Sequence, residues 1–173
     1  MANFKEDLVR IKAFVFDIDG VLSLQTISLN AFGVPSRTVN LRDGYAIQLA
    51  IKKGYYIGVI SGSSSKEYAK RLKLLGVKDI YLNSKKKIYH FNLFLEKNSL
   101  NKSDVIYMGD DIPDFEVMKE AGVAVCPSDA DSEIKQVAAY ISDKRGGEGC
   151  VRDIIEQVLR LHNNWMDSEA FTW

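Results

Sequence analysis

The chain has little that would tie it to a thiolate metal site, a membrane or a nucleic acid. Only two of its 173 residues are cysteine, Cys126 and Cys150. They lack metal-ligand spacing, and such sparse thiols are expected to stay reduced, as in a cytoplasmic protein. The two histidines, His90 and His162, are too few and too separated for a histidine metal site. No apolar run approaches the length of a membrane span. Asn3, Lys5, Glu6, Asp7, Arg10 and Lys12 interrupt any secretory-signal core. Lysine plus arginine and aspartate plus glutamate each number 23, so the formal net charge is zero. That balance argues against a nucleic-acid binder, for which a basic stripe is expected. These absences leave a soluble globular chain, long enough for one domain with a full core.

Among what is present, Phe14 to Leu22 organises the rest. Ala13 to Phe16 is an aromatic and β-branched run that reads as a buried parallel strand. Asp17 and Asp19 follow it, one residue apart, with Gly20 behind them. Open α/β sheets bind ligands at the carboxyl ends of their strands. Carboxylates of the same parity on an extended chain can converge on one site. They repel unless a cation lies between them or one holds a proton. The pair asks for a divalent metal, an acid–base role, or both; alone, it fits equally a strand ending in a turn.

Leu24 to Leu41 has no helical period and a turn signal at Gly33-Val34-Pro35-Ser36, which predicts a β-hairpin. Asp43 is the expected N-cap of a helix that buries Ile47, Ala50 and Ile51 and closes at Gly54. Tyr55 to Ile60 reads as a strand ending at Ser61-Gly62, followed by a serine-capped helix to Leu75. Asp79 to Leu82 is a third strand, and Ser84 is expected to cap a helix through Glu96. Val105 to Met108 is a fourth strand, running into Gly109-Asp110-Asp111. A helix over Pro113 to Glu120, a strand at Val123 to Val125 and a short helix around Ile134 come next. A strand near Ala139 to Ile141, a glycine-rich turn and a helix from Val151 to Leu161 complete the pattern. The alternation predicts one α/β domain: a Rossmann-like, mostly parallel sheet with helices on both faces and a protruding β-hairpin. Four polar strand ends then share one edge: Asp17 with Asp19, Ser61, the loop before Lys87, and Asp110 with Asp111.

Those four sets are the basis of a resemblance. Asp17-Ile18-Asp19-Gly20-Val21, Ser61 with Gly62, Lys87, and Gly109-Asp110-Asp111-Ile112-Pro113-Asp114 resemble the four motifs of the haloacid dehalogenase superfamily of phosphatases. The resemblance implies that Asp17 is the nucleophile, forming an aspartyl-phosphate. It makes Asp19 the general acid and then the base. Magnesium would be held by Asp17, Asp110 and the backbone carbonyl of Asp19. Ser61, Gly62 and Lys87 would bind the phosphoryl group. Asp111 and Asp114 would be accessory, the first as a helix cap or partner of Lys87, the second as a partner of the magnesium waters. Lys85 and Lys86 read as a solvated helix face.

The spacing of these motifs leaves no room for an inserted cap domain, so the chain resembles the capless branch, whose open crevice must be walled by neighbouring subunits. Val39 to Tyr45, Tyr107 to Asp111 and Gly146 to Arg152 are similar to phosphatases acting on 3-deoxy-D-manno-octulosonate 8-phosphate. That likeness implies a homotetramer built through the hairpins and a phosphorylated keto-sugar acid of lipopolysaccharide synthesis as substrate. Arg42, Gly44 and Arg71 would assist binding; an arginine fork suits a carboxylate, and each arginine alone is equally a surface charge. Two departures, Ser63 after Gly62 and Leu24-Gln25 after the first motif, leave a nine-carbon keto-sugar acid 9-phosphate as the alternative substrate. An assembly domain without catalysis is the third reading, against which the complete catalytic set weighs. The aromatics of the tail, Trp165, Phe171 and Trp173, are expected to reach a neighbouring active site.

Overall fold

The structure, a computed structural model, describes residues 4–172. Its elements in chain order are α1 (Phe4–Leu8), β1 (Ala13–Phe16), β2 (Ser28–Leu29), β3 (Pro35–Ser36), α2 (Leu41–Lys52), β4 (Tyr56–Ile60), α3 (Lys66–Leu74), β5 (Asp79–Tyr81), α4 (Lys87–Lys97), β6 (Val105–Met108), α5 (Phe115–Glu120), β7 (Val123–Cys126), α6 (Ser132–Val137), β8 (Tyr140–Ile141) and α7 (Cys150–Leu161). Six strands form one sheet in the order β5-β4-β1-β6-β7-β8, with parallel pairing throughout. Phe14 sits opposite Ile57 of β4 and Ile106 of β6.

Alternation along the strands divides the core. Phe14 and Phe16, with Ile57, Val59, Ile106 and Met108, pack beneath α2 and α7. Val15, Ile60 and Tyr107 pack on the other face beneath α4, α5 and α6. Burial on both faces explains why these strands read as unbroken apolar runs. From β1 the chain builds outward through β4 and β5, then returns to build β6, β7 and β8 on the other side. The switch point therefore lies beside β1, where ligands of such sheets bind.

Two caps differ from expectation. The N-cap of α2 is Asn40, whose side chain accepts from the backbone N–H of Arg42 and Asp43. Asp43 is instead buried inside the first turn, accepting from the Arg152 N–H at 2.7 Å. It thereby satisfies a donor at the start of α7, which begins after Gly149 without a side-chain cap of its own. Ser84 does not cap α4: its hydroxyl pairs with His90 Nδ1 at 2.7 Å, and α4 begins at Lys87.

The hairpin is present as β2 and β3, paired antiparallel with Leu29 opposite Pro35. Its tip is apolar and open, with Leu29 65% and Phe32 90% exposed. In the tail, Trp165 is buried edge-on against Tyr45 with the Arg152 guanidinium 5.0 Å above its ring. Lys53 pairs with Asp167 and Glu169, and the Tyr45 hydroxyl donates to the Ala170 carbonyl. The Tyr45 contacts fall in the first half of α2, and the Lys53 pairs at its C-terminal end, which feeds β4. Phe171 is exposed, and Trp173 lies outside the described residues.

Candidate active site

The loops after β1, β4 and β6 open into a cavity of about 640 Å³ at the carboxyl edge of the sheet. Asp17, Asp19, Ser61, Gly62, Lys87, Asp110, Asp111 and Asp114, expected to converge, all line it. Lys87 is the first residue of α4 and reaches under the floor, 2.7 Å from both Asp17 Oδ2 and Asp114 Oδ1. The other oxygen of Asp17 accepts from the Ile18 N–H at 2.6 Å. Asp114 is fully buried and also accepts from the Tyr107 hydroxyl at 2.5 Å. Tyr107 escaped the sequence reading because its position in an apolar strand marked it only as core. Gly20 permits the close approach: it takes φ +82°, and a Cβ there would lie 1.8 Å from Asp110 Oδ2.

The carboxylates are crowded beyond what Lys87 can balance. Burial and the neighbouring Asp114 push Asp17 up to about 7, against the pull of Lys87. Burial and the charges of Asp17 and Asp114 push Asp110 up to about 8. One oxygen of Asp110 is buried without a hydrogen-bond partner. Ligand oxygens of Asp17, Asp110 and Asp114 all lie within 4.8 Å of one another. Hard oxygen donors, excess negative charge and an orphaned oxygen fit a small divalent cation such as magnesium. Asp114, expected as an accessory partner of the metal waters, is the third carboxylate of this group, and its Oδ1 already accepts from Lys87 and Tyr107.

Asp19 is taken by a residue the sequence reading missed. Arg37 donates from Nε to Oδ1 at 2.6 Å and from Nη2 to Oδ2 at 2.9 Å, a bidentate fork. The hairpin base sets this up: the Thr38 hydroxyl accepts from the Leu24 N–H at 3.0 Å, and the Thr38 N–H donates to Ser23 Oγ at 3.0 Å. Those ties fold Arg37 back over the loop after β1. Gln25, from the same base, donates to Asp110 Oδ2 at 3.2 Å and to the Asp129 carbonyl at 3.1 Å. No sequence pattern marks either contact. Asp111 is exposed and accepts from the Ile112 N–H, capping the short 3₁₀ turn Ile112–Asp114.

The remaining substrate-binding candidates lie elsewhere. Arg42 faces a separate groove beside Arg152 and Glu156, because α2 starts at Leu41 and carries it toward α7. Gly44 and Arg71 meet between α2 and α3: a Cβ on Gly44 would be 3.5 Å from Arg71 Nη2. Neither arginine lines the crevice. Lys85, read as a solvated helix face, is exposed as expected but stands in the loop before α4, where it lines the crevice.

Residues 77–154 match the haloacid dehalogenase-like hydrolase family model. The chain is 32% identical over 149 residues to the 3-deoxy-D-manno-octulosonate 8-phosphate phosphatase KdsC of Salmonella typhi, covering 86% of this chain and 79% of that protein. Among solved structures, the phosphatase of that name from Moraxella catarrhalis, in complex with magnesium, phosphate and KDO, superposes with a TM-score of 0.90. It is 30% identical, over 95% of this chain and 94% of that one. The Yersinia pestis phosphatase gives a TM-score of 0.90 at 27% identity, over 93% and 87% of the two chains. With the four motifs gathered on one crevice and this identity along most of its length, the chain belongs to the haloacid dehalogenase-like hydrolases, in the family of the 3-deoxy-D-manno-octulosonate 8-phosphate phosphatases.

Proposed function

We propose that the chain is a magnesium-dependent phosphatase that hydrolyses 3-deoxy-D-manno-octulosonate 8-phosphate, in lipopolysaccharide sugar biosynthesis. The observation that carries this reading is the buried group of Asp17, Asp110 and Asp114 around Lys87, with Asp19 at the mouth of the same cavity. Asp17, Asp110 and the backbone carbonyl of Asp19 would hold the magnesium, with Asp114 beside them, and the ion would supply positive charge to the phosphoryl oxygens. In the first step a carboxylate oxygen of Asp17 attacks phosphorus and the bond to the sugar oxygen breaks. Asp19 gives its proton to the departing alkoxide. In the second step Asp19 takes a proton from water, whose oxygen attacks phosphorus and releases Asp17 and inorganic phosphate. Lys87 and Ser61 meet the developing charge on the phosphoryl oxygens, Lys87 while also orienting Asp17.

Assembly belongs to the same reading. A two-stranded hairpin is marginal alone, and its exposed Leu29, Phe32 and Val34 support burial against other copies, as a homotetramer. No helix among the described residues is long and apolar enough to cross a membrane. The two thiols are unbridged and buried, in keeping with a cytoplasmic protein.

The test is phosphate release with magnesium from the eight-carbon and nine-carbon keto-sugar acid phosphates side by side, with Asp17→Asn as control. Preference for the eight-carbon substrate, lost in the variant, is expected. Preference for the nine-carbon one would keep the mechanism and replace the substrate. Turnover of neither by the assembled protein would point to the assembly role.

A further inference from the structure

The proposed substrate carries two anionic groups, a phosphate ester at one end and a carboxylate at the other. Seven aspartates and only two lysines, Lys85 and Lys87, line the crevice that must admit it. Magnesium and Lys87 serve the phosphate end, and Lys87 is already engaged with Asp17 and Asp114. Arg37 gives both donors of its fork to Asp19. A second anion entering such a field is repelled unless another cation meets it.

Lys85 is placed to meet it. It is exposed on the crevice and, among the described residues, makes no hydrogen bond or ion pair. Its backbone is held in place. The Asn83 N–H donates to the Ser63 carbonyl at 2.9 Å, and the Ser84 N–H donates to the Ser61 carbonyl at 2.9 Å. Asn83 adopts φ 54°, a left-handed turn that asparagine tolerates well. Ser84 is buried with its hydroxyl on His90. The loop is thus laced to the Ser61–Ser63 loop, so Lys85 is presented at the crevice while Lys87, two residues on, dips under its floor.

We propose that Lys85 is the receptor for the substrate carboxylate, and so the residue that separates phosphorylated sugar acids from phosphate esters lacking a carboxylate. The assignment rests on the substrate reading above. It leaves the phosphoryl-transfer groups untouched, so its signature is selective.

The experiment uses the full chain with magnesium and the variants Lys85→Met and Lys85→Arg. Lys85→Met is expected to raise KM for 3-deoxy-D-manno-octulosonate 8-phosphate about tenfold, the scale of one lost charge-assisted contact. The kcat and the cleavage of p-nitrophenyl phosphate should stay at the unmutated level. Inhibition by the free sugar acid should weaken while inhibition by inorganic phosphate does not, and Lys85→Arg should restore both KM and acid inhibition. Parallel losses on both substrates, or an unchanged KM in Lys85→Met, would overturn the assignment of Lys85 alone. An unmutated protein that cleaves p-nitrophenyl phosphate but ignores the sugar acid phosphate would overturn the substrate reading, and with it the ligand given to Lys85.

Discussion

Arg37 fixes where Asp19 points. A fork on both oxygens restrains this side chain. In the mechanism proposed above, it meets the leaving-group oxygen once one of the two bonds opens to free an oxygen for the proton. Misplacement by an ångström can cost about a hundredfold in rate. Arg37→Met is therefore expected to lower kcat on the sugar phosphate about tenfold or more. The loss should be smaller on p-nitrophenyl phosphate, whose leaving group departs without a proton. Steady-state kinetics on the two esters decides: equal losses would mean that Arg37 acts on the fold and not through Asp19. The pair is partly open, with side-chain exposures of 11% for Arg37 and 37% for Asp19, so its effect on stability should be small.

The glycine-rich segment before α7 works at the level of the element. The Gly147 N–H donates to the Val21 carbonyl at 2.8 Å, docking this turn on the loop that carries Asp19 and Gly20. A Cβ on Gly146 would lie 1.9 Å from the Gly20 carbonyl oxygen. Backbone cannot yield as a flexible side chain does, so Gly146→Ala must push the two loops apart. We expect a loss of about 1–3 kcal/mol, as in overpacked cores, read as a lower urea midpoint. Activity should fall with it, because the displaced loop holds Asp17 and Asp19, the carboxylates proposed to carry the reaction. An unchanged midpoint would show that the turn is not held against β1 in solution.

For the whole molecule, metal and protons compete. Asp17 and Asp110, raised in the folded protein to about 7 and about 8, titrate near 3.8 when unfolded. The folded state then binds more protons across that interval, so metal-free protein should lose stability as pH rises from about 4 to about 8. Magnesium takes the place of those protons, and its stabilising effect should grow over the same interval. Thermal unfolding with and without magnesium at about pH 6 and about pH 8 tests this, with the larger rise in Tm expected at the higher pH. An equal shift at both would place the cation away from these carboxylates. The proposed assembly has its own test: Phe32→Ser, at a side chain 90% exposed, should shift sedimentation from the proposed tetramer toward smaller species. A tetramer that survives the change would remove the hairpin from the interface.

What could be read from the sequence was local. Four apolar runs with polar residues at their carboxyl ends were enough to predict a parallel sheet, and a parallel sheet brings its strand ends to one edge whatever the details between. Asp17, Ser61 and Asp110 lie within two residues of a strand end, and Lys87 opens the helix after β5; all four line the crevice. The tertiary structure decided the contacts that cross loops. Arg37 meets Asp19 only because Thr38 closes the hairpin base, and Lys85 rather than Arg42 or Arg71 reaches the cavity only because its loop is tied to Ser61 and Ser63. Periodicity places a residue on an element; it does not say which way a loop folds, because that is settled by backbone hydrogen bonds between segments distant along the chain.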